Sequence, residues 1–220
     1  MRTNYSRIKG IATATLLLVF FILNPCRTYS QGREGKGADE IDKAVWTMQA
    51  ASVARELGLK KKKQDKLTRA YLGLREDISV KGKEKLKELE GEERQTEADA
   101  IARNCLGKFN SDLTGLLKPE QASRASFLLG SLNKRWEQYL ELLLGFSLEG
   151  EAMQNASDAV YMYVDEYLTE RKKASDANTR FSGQIATGLK EGLDGRIAEV
   201  LTEDQYKTWS ETTAFKRKGK

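Results

Sequence analysis

The chain has 220 residues, 37 Lys and Arg against 32 Asp and Glu, two cysteines, two prolines and no histidine. Without histidine neither a Ser-His-Asp triad nor a Cys-His pair can be assembled, and the commonest transition-metal ligand is absent. Two prolines beside 31% charged residues suit long helices and argue against a sandwich or barrel of many short strands.

The N-terminus reads as an export signal. Arg2, Arg7 and Lys9 precede an apolar run from Leu16 to Leu23, closed by Asn24 and Pro25. Thr28 and Ser30 then supply the small residues of a cleavage site, so residues 1–30 are expected to be removed. The run is shorter than the roughly 20 residues that span a bilayer. Leu23 and Cys26 also sketch a lipobox, but Pro25 stands where such boxes carry a small residue, so lipid anchoring at Cys26 is the lesser alternative. The expected location is the periplasm or the exterior. Loss of Arg2, Arg7, Lys9 and Arg27 with the signal leaves 33 basic residues against 32 acidic ones, and so near-neutral a chain carries no nucleic-acid footprint. Charge is nevertheless uneven: +3 over residues 31–126, −6 over 127–215 and +4 over Lys216–Lys220. Cys105 is the one thiol left after processing, and it lies on an apolar stripe that favours burial.

Beyond a flexible leader, residues 31–37, apolar residues recur at helical spacing almost throughout. Ile41, Val45, Met48 and Val53 mark a first helix ending near Gly58. Leu67, Tyr71, Leu74 and Ile78 mark a second, which weakens from Ser79 to Gly82 into a Lys/Glu-rich stretch reaching Gly91. Ala98, Ile101, Cys105, Phe109 and Leu113 mark a third. A fourth is expected from Pro119 through Leu128, Leu132, Trp136, Leu140 and Leu143 towards Gly145. Met153, Val160, Val164 and Tyr167 mark the fifth, Phe181, Ile185, Leu189, Leu193 and Ile197 the sixth, and a short helix starts at Glu203.

A pseudo-repeat underlies this order. Leu57-Gly58-Leu59 resembles Leu144-Gly145-Phe146, and Leu117 to Gln121 resembles Leu201 to Gln205. The expected fold is therefore all-α: long antiparallel helical hairpins in two tandem units, 38–126 and 127–215, followed by a basic tail, 216–220. Leu201 to Gln205 has a local explanation as a capping box, with Thr202 at the N-cap, Gln205 at N3 and Glu203 and Asp204 at the positive end of the helix dipole. The earlier copy keeps Leu117, Pro119 and Gln121, but Lys118 replaces the capping threonine, a loss worth about 1 kcal/mol.

A signal peptide followed by helical hairpins with L-T-x-x-Q elements resembles the Spy/CpxP-type LTxxQ proteins of the bacterial periplasm. The resemblance is full at Leu201, Thr202 and Gln205, partial at Leu117 and Gln121, and degraded near Leu59, where Lys60 and Lys63 fill the Thr and Gln slots. It implies a cradle-like helical protein, often dimeric, that answers envelope stress and holds unfolded clients without ATP. Some relatives bind metal or restrain a membrane sensor kinase.

No catalytic residues, cofactor site or metal site are expected. The carboxylates, Glu88 to Glu93 for example, alternate with lysines on polar faces, and no P-loop, G-x-G-x-x-G or C-x-x-C occurs. With no His, only carboxylate oxygens could hold a cation, and no calcium-loop spacing is present. Two runs are too continuously apolar for one helical face: Tyr139 to Phe146, with Leu142 and Leu143, and Ala159 to Val164, with Tyr161, Met162 and Tyr163. They are expected to be a client or partner surface or a homodimer interface, with a monomer core as the alternative. The expected partners are proteins, either unfolded clients or one specific envelope partner, and not nucleic acid or a small-molecule substrate. The function expected is an ATP-independent chaperone or stress adaptor; the alternative is a regulatory or scaffolding protein, with an enzyme least favoured. Intact-mass measurement of the exported protein is expected to give a chain starting at Gln31; a species retaining an acylated Cys26 would place it on a membrane instead.

Overall fold

The computed structural model describes residues 36–214, so the signal peptide, residues 31–35 of the leader and the basic tail lie outside the described residues. The protein is all-α: among the described residues every regular element is helical. The chain divides after Leu132 into two compact units.

The first unit contains α1 (Lys36–Glu56), α2 (Lys61–Glu76), a π-helical turn (Asp77–Gly82), α3 (Lys83–Leu86), α4 (Gly91–Leu116) and α5 (Pro119–Leu129). Helix α1 starts inside the stretch expected to be a flexible leader. It ends where Gly58 adopts φ +60°, a left-handed conformation that an L side chain enters only at a cost. The chain then reverses into α2, and the Tyr71 hydroxyl donates to Gln49 Oε1 across the pair at 2.6 Å. Leu67, Tyr71 and Leu74 face inward from α2, and Phe109 and Leu113 from α4. The Tyr71 and Phe109 rings lie 6.1 Å apart at the middle of this core. The weak apolar period from Ser79 to Gly82 has a structural cause, for there the second arm passes through the π turn before α3 resumes.

The second unit contains α6 (Lys134–Gly145), α7 (Gly150–Asp176), α8 (Gly183–Ala198) and α9 (Glu203–Thr213). Here the core is aromatic. Trp136, Tyr163 and Trp209 are fully buried, together with Leu140, Leu143 and Leu193. Rings follow one another from Trp209 to Tyr139, Tyr163, Tyr167 and Phe181 at centroid separations of 5.3, 5.7, 6.0 and 5.1 Å. Such tilted neighbours add to the area they bury.

The single helix expected from Pro119 to Gly145 is two helices, α5 and α6. Gly130 follows α5, at a position where a Cβ would lie 2.5 Å from the Ser126 carbonyl oxygen. Leu132 takes φ +46°, and the Asn133 side chain accepts from the backbone N–H of Arg135 and Trp136 at 3.0 and 3.3 Å, starting a new helix. Helical spacing continues across this break, so periodicity alone runs the two together. The compact units meet after Leu132, just before the asparagine that caps α6, six residues beyond the 126/127 boundary expected from the repeat.

Both units reverse through the same left-handed residue, Gly58 in one and Ser147 (φ +54°) in the other. A side chain at 58 would meet nothing within 4 Å, so Gly58→Ala is expected to cost only the backbone term, about 1–2 kcal/mol. Ser147→Gly is expected to gain up to about 1 kcal/mol. Urea denaturation of the two variants checks both signs.

Candidate functional site

Each unit contains one side chain that ties its last helix to its first turn. A helix C-terminus leaves its final carbonyls without intrahelical donors. The Gln121 amide Nε2 donates to the Leu57 carbonyl at 3.0 Å, and the Gln205 Nε2 donates to the Phe146 carbonyl at 3.2 Å. The partners are 64 and 59 residues away in the chain, so these are tertiary clasps and not local caps. They superimpose on the capping role. Thr202 N–H donates to Gln205 Oε1 at 3.0 Å, and Gln205 N–H donates to Thr202 Oγ1 at 3.4 Å, a complete capping box. At the earlier copy a lysine has no acceptor to offer, so only Lys118 N–H to Gln121 Oε1 is made, at 3.3 Å. One glutamine amide thus accepts with its oxygen at a helix start and donates with its nitrogen to a helix end.

The leucines of both motifs, Leu117 and Leu201, are buried beneath the clasps, and the helices that follow, α5 and α9, each have 11 residues. The clasped turns also revise the register of the repeat. The left-handed residues are Gly58 and Ser147, so Leu57-Gly58-Leu59 corresponds to Phe146-Ser147-Leu148, two residues beyond the match expected from Leu144-Gly145-Phe146. Gly145 is the last residue of α6 and not a turn glycine. The tertiary partner of the motif glutamine was missed in the sequence because its target is a backbone carbonyl, which any residue supplies.

The last helix of the second unit is held a second time. Lys190, buried on α8, donates from Nζ to Asp194 Oδ2 at 2.7 Å and to Thr213 Oγ1 at 3.0 Å, and the Trp209 indole N–H donates to Asp194 Oδ1 at 2.8 Å. The Lys190–Asp194 pair of α8 thus has one anchor on α9 at each end, Thr213 for the ammonium and Trp209 for the carboxylate, which fixes the end of that helix.

The apolar runs expected to form an outer surface are corrected by their burial. Tyr139, Leu143, Tyr161 and Tyr163 lie in the core of the second unit, and Leu142 and Phe146 are half-buried. Only Met162 of the candidate surface is exposed, at 45%. Helix α7 has α6 along one side and α8 along another, so hydrophobes pointing to several sides of it find neighbours, Met162 excepted. Tyr161 meets Trp136 of α6 at 6.1 Å, while Tyr163 meets Tyr139 and accepts from Arg135 Nη1 at 3.3 Å. Burial and the neighbouring Tyr163 push the Tyr139 hydroxyl well above the ordinary phenol range, so it remains a neutral packing group.

Comparison with protein-family models, with curated proteins and with solved structures finds no match.

Glutamate serves a capping box as well as glutamine does, but a carboxylate cannot donate to a carbonyl. Gln205→Glu is therefore expected to keep the cap, break the clasp and cost about 1–3 kcal/mol, whereas Thr202→Ala removes only the cap and costs about 0.5–2 kcal/mol. Thermal melts distinguish the cases: an unchanged melting temperature for Gln205→Glu would leave the residue as a cap alone.

Proposed function

We propose that this is an exported, non-enzymatic helical adaptor that docks a specific envelope partner. The observation that carries the reading is the burial of the two apolar runs. A holdase that captures unrelated unfolded chains needs a broad apolar face open to solvent. Here the tyrosines and leucines of Tyr139–Phe146 and Tyr161–Val164 fill the interior of their own unit, and among the described residues the exposed large hydrophobics are Met162 and Ile185. Two isolated anchors suit one complementary surface better than many clients. The export signal and the L-T-x-x-Q residues Leu201, Thr202 and Gln205 support a periplasmic setting and kinship with the Spy/CpxP-type stress proteins. Within that kinship, restraint of a sensor or another defined partner fits better than general holding.

The test uses the mature protein against two unrelated aggregating clients. No suppression of light scattering is expected at equimolar ratio, and suppression of both would restore the ATP-independent chaperone reading. Replacing Tyr161, Met162 and Tyr163 with Ser is expected to unfold the second unit, since truncating a large buried side chain costs about 3–5 kcal/mol. Retained helical circular dichroism in that variant would mean that the run is not core.

A further inference from the structure

The two units differ at one equivalent seam. In the first unit the distal end of the second arm closes apolar against α4, where Leu86, Ala98 and Ile101 pack together with Leu89 and Cys105. The residue interval that relates Leu117–Gln121 to Leu201–Gln205 carries Ile101 to Ile185. Ile101 is 8% exposed and Ile185 is 42% exposed. Between α7 and α8 the corresponding seam stands open as a cleft of about 510 Å³. Asp165, Glu166, Thr169, Glu170 and Lys173 line it from α7, three carboxylates against one ammonium, and Ile185 and Leu189 line it from α8, with Gly188 adding no side chain between them. Met162, exposed one turn before Glu166, lies on the same face of α7 as that residue.

We propose that this cleft receives the segment Phe215–Lys220 of a second copy of the chain. The cleft asks for an apolar anchor with cations beside it. Phe215 followed by Lys216, Arg217, Lys218 and Lys220 has that pattern, and it belongs to a chain whose residues 127–215 otherwise carry a net charge of −6. The cleft carboxylates already hold basic groups of their own unit: Arg196 is 3.4 Å from Glu166, and Lys173 is 2.6 Å from Glu170. Solvent-accessible pairs of this kind are weak and exchangeable. An incoming basic segment can therefore compete for these oxygens.

The geometry at the end of α9 selects a second copy over the same chain. Helix α9 finishes against Lys190, whose Nζ bonds Thr213. At about 100° per residue, Ile185 and Gly188 lie roughly 140° and 160° around α8 from Lys190, on another side of that helix. Phe215 is one residue past Ala214, and each residue advances the chain by at most about 3.6 Å. It cannot cross a helix about 10 Å in diameter to reach its own cleft. Self-association by this route uses Met162 and Ile185, the same exposed hydrophobics as the adaptor reading above, so it would compete with a partner docked there, and sedimentation of the protein alone tests it separately.

Sedimentation velocity of the mature protein, run across concentration and salt, tests the proposal. Association is expected in the micromolar range at low salt and is expected to weaken as the screening length falls from about 10 Å at 0.1 M to about 3 Å at 1 M. Reversing the segment (Lys216→Glu, Arg217→Glu, Lys218→Glu) or the cleft (Glu166→Lys, Glu170→Lys) is expected to weaken association about tenfold or more, with helical circular dichroism retained. Mixing the two reversed proteins is expected to restore a heterodimer. Ile185→Ser, a change at an exposed position, gives a second variant that removes the anchor without disturbing the charge pairs. A wild type that stays monomeric to about 100 µM, or association that survives both reversals, overturns the proposal.

Discussion

In each unit one glutamine amide joins the last helix to the end of the first. Gln121 and Gln205 each stand at the third position of the last helix and reach the carbonyl that terminates the first. Each bond joins the two ends of its unit and keeps the first and last helices in register. An amide suits that position because its two ends differ: the oxygen accepts from the helix that it starts, and the nitrogen donates to the helix that it closes. Neither a hydroxyl of shorter reach nor a carboxylate can replace it. The buried leucines beneath, Leu117 and Leu201, exclude water from the joint and make the paired polar groups worth keeping.

Above this joint the units differ in how they fill their cores. The first relies on aliphatic and small residues, among them Ala50, Ala54, Leu67 and Leu113, with Tyr71 and Phe109 at its centre. The second stacks Trp209, Tyr139, Tyr163 and Tyr167 and closes its α8–α9 junction with the Lys190–Asp194 pair.

Much of the fold was legible in the residues, because apolar spacing of three and four marks every long helix from Ile41 to Ile197. Two things were not. The break at Gly130–Asn133 keeps the apolar rhythm of its flanks, and only the Gly and the capping Asn reveal that one helix is two. The run from Tyr161 to Val164 has the composition of a sticky surface, yet whether it is core depends on how many helices flank α7, which is a property of topology and not of the run. At the motif, the capping half could be read from Thr202 and Gln205, since both partners lie within four residues. The clasp half could not, since a main-chain oxygen on a distant turn leaves no mark in side-chain identity.

The division after Leu132 has a consequence for the order in which the molecule is made. Three hydrogen bonds that close the first unit, Tyr71 to Gln49, Gln121 to Leu57 and Arg124 to Glu56, join residues numbered below 133. A chain that emerges from its N-terminus therefore has these bonds of the first unit available before α6 to α9 have been made. Domains with closed contact sets fold as they appear. The aromatic-rich second half, with more to lose from exposed rings, is the last to emerge and has the shortest wait before its own glutamine arrives to close it.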